Sequence, residues 1–277
     1  MTGQDGLADG RSELLTLIDE AAVRNRLGDR VAVYPGTRSQ AGSLGCAVTG
    51  AVVFGGLALV LSLTEAAALA VIPLGLLLLV PLGIWKERST TAKNQGVRLD
   101  LHERGLTAVV KGRVHAVRYE STSVLQNTVR HTGVGGYTSY EYTLTDVDGA
   151  KVVLRGRADG AGEVAEKGRF SNPREWGPAL QQAVTRAQLP GAVAALDSGG
   201  RLEFGRLWLT VDAVGSARES AQWQEIQEIK VFDGFVKLRV AGRWRALTHA
   251  AVSTIPNFFV FLALAEHLRR SAGRPAG

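Results

Sequence analysis

The residue types that carry catalysis and metal binding are scattered along this sequence. The histidines form no HxxH or HExxH pair, and none lies near the one cysteine, Cys46. Zinc sites need such close spacing. The acidic residues Asp159, Glu163 and Glu166 do not have the spacing of a calcium loop, and there is no Gly-x-Ser-x-Gly elbow for a serine nucleophile. We therefore predict no catalytic residue, no metal site and no cofactor.

A glycine-rich segment at residues 132–136 is the nearest approach to a phosphate-binding loop. It lacks the Gly-Lys-Ser/Thr ending that places an ammonium group and a Mg²⁺-binding hydroxyl, so we predict a loop of a β-hairpin. Close to it, Arg130, Tyr137 and Tyr140 either form an aromatic and basic binding face or complete the edge of a sheet. The sequence favours the sheet edge.

The apolar stretch at residues 43–85 dominates the organisation of the chain. Its only charged residue is Glu65, and it divides into segments 44–63 and 66–85. A membrane span needs roughly 20 mostly apolar residues, and neither segment has the polar face of a soluble helix. These features predict a two-helix transmembrane hairpin. The alternative is a buried hairpin in the core of a soluble protein.

Flanking charge predicts how such a hairpin would be oriented. Arg38 precedes the first segment, whereas Lys86, Arg88 and Lys93 follow the second. The positive-inside rule then places both termini in the cytoplasm of a multi-pass membrane protein. Trp85 stands where an indole ring lies at the headgroup level. These five residues are the predicted membrane-interface residues.

Composition limits the remaining classes of function. The net charge is +6 with a pI of about 9.7, and the single cysteine excludes a disulfide framework. No run of lysine and arginine is dense enough for a nucleic-acid tail, so we predict no nucleic-acid partner.

Before the apolar stretch, residues 1–10 are predicted to be disordered, residues 11–27 to form an amphipathic helix, and residues 31–34 a short strand.

After residue 86 the apolar period changes from helical to alternating, and one plan occurs twice. Each copy has short strands with turn residues between them, followed by a helix. The first helix is predicted to start at Pro173, with Asn172 as N-cap, and to end before Pro190; the second occupies about residues 255–270. Large aromatic residues are predicted to be anchors of the cores or of contacts between the domains: Trp176, Trp223 and Phe259. Predicted strands lie at residues 97–101, 106–110, 114–119, 124–128, 140–145, 151–155, 202–204, 207–211, 216–222, 230–232, 235–240 and 244–247.

A motif in the second copy carries a family resemblance. Trp223, Ile226 and Ile229 lie at a spacing of three, ahead of a hairpin and of a helix that opens after Pro256-Asn257. The unit resembles the bacterial pleckstrin-homology-like (PH-like) domain, a bent antiparallel barrel closed by a C-terminal helix. In the first copy Tyr119 and Val124 match this motif more loosely. Such tandem domains beside paired spans resemble uncharacterised membrane protein families of actinobacterial type.

The resemblance and the hairpin together define an expected α+β membrane protein: a two-helix transmembrane hairpin and two small antiparallel β-barrel or sheet units, each closed by a C-terminal helix. The expected role is non-enzymatic, with the tandem modules binding a protein partner or supporting an assembly at the inner membrane face. Alternatives are recognition of anionic lipid and, less favoured, an oligomeric transport or channel component. The expected partners are the lipid bilayer and an unidentified protein. The expected divisions are residues 1–42, 43–85 (hairpin), 86–191 (first PH-like domain), 200–271 (second PH-like domain) and 272–277 (tail).

Overall fold

The first sheet begins before the apolar stretch and is completed after it. The computed structural model describes residues 2–37, 52–53, 89, 94, 96–159 and 166–272. Four antiparallel strands lie in the order β1-β2-β3-β4, so a strand of the N-terminal segment pairs with the first strand that follows residue 86. Their bounds are Arg30–Pro35 (β1), Arg98–His102 (β2), Gly105–Val110 (β3) and Arg113–Arg118 (β4).

Helix α1 (Thr2–Arg24) packs against β3 and β4 of this sheet. It starts earlier than predicted, so the expectation of disorder is wrong for residues 2–10. The helix ends where Arg26 takes a left-handed conformation with φ 54°, and the N–H of Leu27 bonds back to the carbonyl of Ala22 at 3.0 Å. Leu27, Ala22 and Ala116 then form a small apolar cluster under the helix.

The first unit is completed by a three-stranded antiparallel sheet in the order β5-β6-β7 and by helix α2. Trp176 of α2 is fully buried and packs edge-on against Tyr142, with ring centroids 5.3 Å apart. Gly156 permits this approach, because a Cβ there would lie 2.4 Å from the Cβ of Pro173. The bounds are Val124–His131 (β5), Tyr137–Thr145 (β6), Lys151–Asp159 (β7) and Pro173–Asp197 (α2).

Helix α2 runs through Pro190, so the predicted end before that residue is wrong. A proline inside a helix removes one backbone hydrogen bond. Here the last turns of α2 carry Leu189, Ala192 and Val193, which pack against the core of the second unit. Burial of these side chains overrides the local preference against proline.

The second unit repeats the order of the first: a four-stranded antiparallel sheet (β11-β10-β9-β8), a three-stranded one (β12-β13-β14) and helix α3. The predicted strand at residues 244–247 is wrong, since the last strand follows that segment. Trp223 is buried as predicted and lies in a 3₁₀ turn, Trp223–Glu225. The bounds are Leu202–Phe204 (β8), Leu207–Leu209 (β9), Ala213–Ser216 (β10), Ser220–Gln222 (β11), Ile226–Phe232 (β12), Phe235–Val240 (β13), Thr248–Ala251 (β14) and Phe258–Ala272 (α3).

The two closing helices start in the same way. Asn172 and Asn257 directly precede α2 and α3, and both have left-handed backbones, with φ 52° and 49°. Their carbonyls accept the N–H groups of Trp176 and Phe261, each at 3.2 Å, and both of these aromatic side chains are fully buried. The side chain of Asn172 does not form the helix cap that the sequence predicts. The repeat therefore extends from the order of elements to the detail of the helix starts.

The predicted fold class is wrong in two respects. Each unit has two open antiparallel sheets, and no sheet closes into a barrel among the residues described. In the same part of the chain no helix is long and apolar enough to cross a membrane: α1 and α2 carry charged residues along their length, and α3 has fifteen residues. The prediction of a two-span membrane protein is thereby corrected. The hairpin itself, residues 43–85, lies outside the described residues except for Val52 and Val53.

The apolar stretch is an insertion between neighbouring strands of the first sheet. The N–H of Gly36 donates to the carbonyl of Val97 at 2.7 Å, so the chain leaves and re-enters the sheet at one place. Asn94 is buried there and donates to the carbonyls of Thr37 (3.0 Å) and Glu166 (2.8 Å). These bonds join the two ends of the insertion to the loop that precedes α2.

Buried polar side chains connect α1 to the first sheet. The carboxylate of Asp100 is fully buried between the guanidinium groups of Arg30 (2.8 Å) and Arg98 (2.6 Å), and Arg30 also pairs with Asp19 of α1. His102 lies on the same strand as Asp100 and is also buried. Strand β2 at the centre of this sheet therefore carries a buried carboxylate that is paired with two guanidinium groups, together with a buried imidazole.

His102 gives the first unit a predicted dependence on pH. Its Nδ1 lies 3.3 Å from the carbonyl of Gly28, which can only accept, and its Nε2 lies 3.3 Å from Oγ1 of Thr107. Burial lowers the pKa of His102, although the Gly28 carbonyl and the Asp100 carboxylate oppose that effect. Below about pH 6.5, the ordinary histidine pKa, the unfolded chain binds a proton that the folded protein does not.

We therefore expect the free energy of unfolding to fall as the pH decreases below about 6.5, until the lower pKa of the folded state is reached. In denaturant unfolding at a series of pH values, His102→Gln should show a smaller decrease than the unsubstituted chain. His131→Gln, at an exposed position, controls for the loss of a histidine. Identical pH profiles for all three proteins would contradict this role of His102.

Candidate functional site

The two units are joined at the residue that precedes α3. Asn257 donates its N–H to the carbonyl of Val124 at 2.9 Å, and its Oδ1 accepts the N–H of Val124 at 2.8 Å. Its Nδ2 donates to the carbonyl of Thr122 (3.2 Å) and to Oε1 of Gln188 on α2 (2.7 Å). The start of α3 is therefore fixed both to the start of β5 and to α2.

A groove opens between the two units beside this junction. We call it the central groove: a cavity of about 770 Å³ whose walls are β5, the N-terminal half of α2 and one face of α3. Phe259 and Leu262 of α3 provide apolar surface, and Phe259 is 39% exposed. Phe259 thus lies on the wall of a groove between the units and not in a core, whereas Trp176 and Trp223 are both buried.

Amide side chains give the central groove its polar character. Gln126 of β5 accepts a hydrogen bond from Gln181 of α2, and Gln182 lies exposed on the rim. Beneath them, burial raises the pKa of Tyr142, although the hydrogen bonds of its phenol with Gln181 and Thr128 act in the opposite direction. The phenol is therefore a neutral hydrogen-bonding group at the base of the groove.

A second cavity of about 260 Å³ continues the groove along β5. We call it the inner cavity. It shares Gln126, Thr128, Phe259 and Leu262 with the central groove, so both cavities border the same strand and the same face of α3. Its remaining walls are mostly apolar residues of the second unit: Val231, Gly234, Val252 and Phe258.

A third cavity, of about 500 Å³, lies at the β5–β6 hairpin and is polar. It brings Arg130 and Tyr137 together, as the hypothesis of an aromatic and basic face requires, but Tyr140 packs against the core of the first unit instead. His131 stacks on Tyr137 with centroids 4.3 Å apart, and the guanidinium carbon of Arg157 lies 3.8 Å from the centre of the Tyr137 ring. The exposed hairpin is thus an ordered stack of side chains.

The residues predicted for a membrane interface all lie outside the described part of the chain: Arg38, Trp85, Lys86, Arg88 and Lys93. Among the residues described, no group of three or more histidine, cysteine, aspartate or glutamate side chains lies close enough to hold a metal ion. The central groove was missed at the sequence level because its walls come from three separated segments. Phe259 lies in the apolar first half of α3, where residue type alone does not mark one position as exposed.

Comparison with known proteins places the chain in a family. The model of a family of unknown function, DUF6585, matches residues 18–274. The chain belongs to DUF6585. The match covers α1 from Ile18 onward, both units and the insertion, so the tandem arrangement lies within one family. No curated protein and no solved structure matches the chain.

The family match confirms the expectation of an uncharacterised family in its coarse form. The PH-like resemblance and the bacterial origin are finer statements that the DUF6585 match does not reach.

The junction at Asn257 gives a prediction for stability. Asn257→Gly keeps the left-handed backbone but removes three side-chain hydrogen bonds, each contributing about 1 kcal/mol. We expect the free energy of unfolding, measured in urea, to fall by about 3 kcal/mol.

Asp233→Gly is the matched control, because Asp233 is an exposed turn residue with φ 46° and makes none of the contacts between the units. The free energy of unfolding of Asp233→Gly should differ little from that of the unsubstituted chain. Equal losses in the two variants would show that the side chain of Asn257 does not hold the units together.

Proposed function

We propose that this DUF6585 protein is a non-enzymatic binding protein whose central groove takes a segment of a partner polypeptide. The observation that carries the proposal is the position of Phe259: a large aromatic side chain, 39% exposed, on the wall of a groove between two units. Exposed aromatic side chains in concave surfaces are typical anchors of binding sites.

The polar lining supports a polypeptide as the occupant. Gln126, Gln181 and Gln182 present both amide donors and carbonyl acceptors, which are the groups that a peptide main chain needs to bond. Arg186 and Glu266 stand on the rim with opposite charges, and neither forms an ion pair with another described side chain. A groove of this volume accommodates several residues of an extended chain.

We further propose that each unit is PH-like in its order of elements. Both copies place a four-stranded sheet, a three-stranded sheet and one closing helix in the same sequence. The sheets of both units are open, so the likeness lies in the order of the elements and does not extend to a closed barrel. In this arrangement the second unit supplies α3 as a wall for a groove on the first.

The experiment is selection of short random peptides, displayed on phage, against the full-length protein. We expect enriched peptides whose binding weakens when Phe259 is replaced by glutamate, because a buried carboxylate in an apolar contact is costly. Trp244→Glu is the matched control: Trp244 is 86% exposed and lines neither cavity of the groove. The affinities of synthetic enriched peptides are then measured by calorimetry.

We expect Phe259→Glu to weaken binding by roughly a hundredfold, the usual effect at an interface anchor, and Trp244→Glu to leave it unchanged. Absence of enriched peptides, or equal affinities for Phe259→Glu and the unsubstituted chain, would overturn the proposed function.

A further inference from the structure

We propose that the partner polypeptide binds by adding a β-strand to the edge of β5, with its alternate side chains entering the central groove and the inner cavity. The proposal rests on the proposed function above and specifies the chemistry of its ligand: an extended segment recognised mainly through its main chain. Three independent features of the described residues lead to it.

The first feature is the direction of the main-chain groups of β5. Val124 directs both its N–H and its C=O away from β6, because both are bonded to Asn257. Main-chain groups alternate sides along an antiparallel strand, so Gln126, Thr128 and Arg130 present theirs to the same outer side. No hydrogen bond from a described residue reaches the outward groups of these three residues.

The second feature is that the later part of β5 lacks the usual protection of an edge strand. The 3₁₀ turn Val252–Thr254 packs against β5, whereas residues 127–131 of the strand are exposed. Residues 124–129 contain no charge and no proline, and β5 pairs with β6 over eight residues without a bulge. Exposed edges in natural sheets are usually short, charged, bulged or covered, because an open edge recruits another strand. An exposed and regular edge whose one charged residue, Arg130, lies near its end is therefore a feature that needs an occupant.

The other edge strands in the described part of the chain show that protection. Strand β1 contains a bulge and ends in Pro35, and β12 contains a bulge together with Glu228 and Lys230. The remaining edges are charged or no longer than four residues: β4, β7, β8, β11 and β14. Strand β12 occupies in the second unit the place of β5 in the first, so the two copies differ at this strand.

The third feature is the placement of the two cavities. Both border Gln126 and Thr128 on one side and Phe259 and Leu262 on the other. A strand that follows the edge of β5 therefore runs between them, and its successive side chains point to opposite faces. The walls of the inner cavity require an apolar side chain, whereas the amide-rich central groove accepts a polar one.

The length of the free edge fixes the length of the bound segment. Asn257 already occupies the outward groups of Val124, so pairing begins at Gln126 and extends to Arg130. A segment of about five residues with alternating apolar and polar side chains matches this edge. Enriched peptides should show that alternation.

Two measurements test strand addition with the full-length protein and a synthetic enriched peptide as the probe. In the first, each peptide nitrogen is methylated in turn. We expect losses of roughly tenfold or more at alternate positions and small changes between them, because only alternate N–H groups of an added strand donate to β5.

In the second, Thr128→Pro removes the outward N–H of β5, where proline is tolerated because no ladder bond to β6 is lost. Thr128→Val is the matched control, since it also removes the hydroxyl but keeps the N–H. We expect Thr128→Pro to weaken binding roughly tenfold relative to Thr128→Val, with equal thermal unfolding of the two variants. The peptide methylation series decides the question if Thr128→Pro does not fold.

The outcomes separate this inference from the proposed function. Peptides that depend on Phe259 but show no alternating response to methylation, and no loss with Thr128→Pro, would overturn strand addition and leave groove binding intact. Peptides that do not depend on Phe259 would overturn both. A chain that sediments as a dimer and dissociates on Thr128→Pro would show that the edge pairs with a second copy, which would overturn a partner polypeptide as its occupant.

Discussion

The hydrogen bonds of Asn257 are the constraint on which the arrangement of the two units depends. One residue satisfies both main-chain groups of Val124 and reaches the carbonyl of Thr122 and the amide of Gln188. Its left-handed backbone turns the chain directly into α3. The direction in which α3 leaves the first unit is therefore fixed, and with it the distance between α3, α2 and β5. The central groove is the space that these three elements leave.

The two units share one plan, and the central groove lies where the second unit differs from the first. In both units an asparagine with a left-handed backbone precedes the closing helix, and a buried aromatic residue follows four positions after that asparagine. In the first unit the asparagine begins a helix that closes its own sheets. In the second, Asn257 also bonds across to the first unit. Strand β12 carries a bulge together with Glu228 and Lys230, whereas β5 is regular and carries its one charge, Arg130, near its end, so the two copies differ at this edge.

Sequence patterns predicted most of the strands, because alternation of apolar residues reports directly on a half-buried sheet. In one case the prediction was wrong because long-range packing decided the outcome. Helix α2 continues through Pro190 because Leu189 and Val193 pack on the other unit. For Phe259 the sequence left both a core position and a position between the units open, because apolar residue type alone does not distinguish a buried helix face from the wall of a groove. The segment with Trp244 is an exposed loop rather than a strand.

The sequence by itself determined the repeated order of strands and helix, the buried positions of Trp176 and Trp223, and the chain's membership of an uncharacterised family. These follow from periodicity and local residue type, which are properties of short segments. Only the tertiary structure decided that β1 pairs with β2 across the apolar insertion, that the sheets stay open, and that β5 has an unprotected edge beside Phe259. Each of these depends on contacts between residues far apart in the chain. A local sequence pattern does not show which main-chain groups of distant segments form hydrogen bonds with each other.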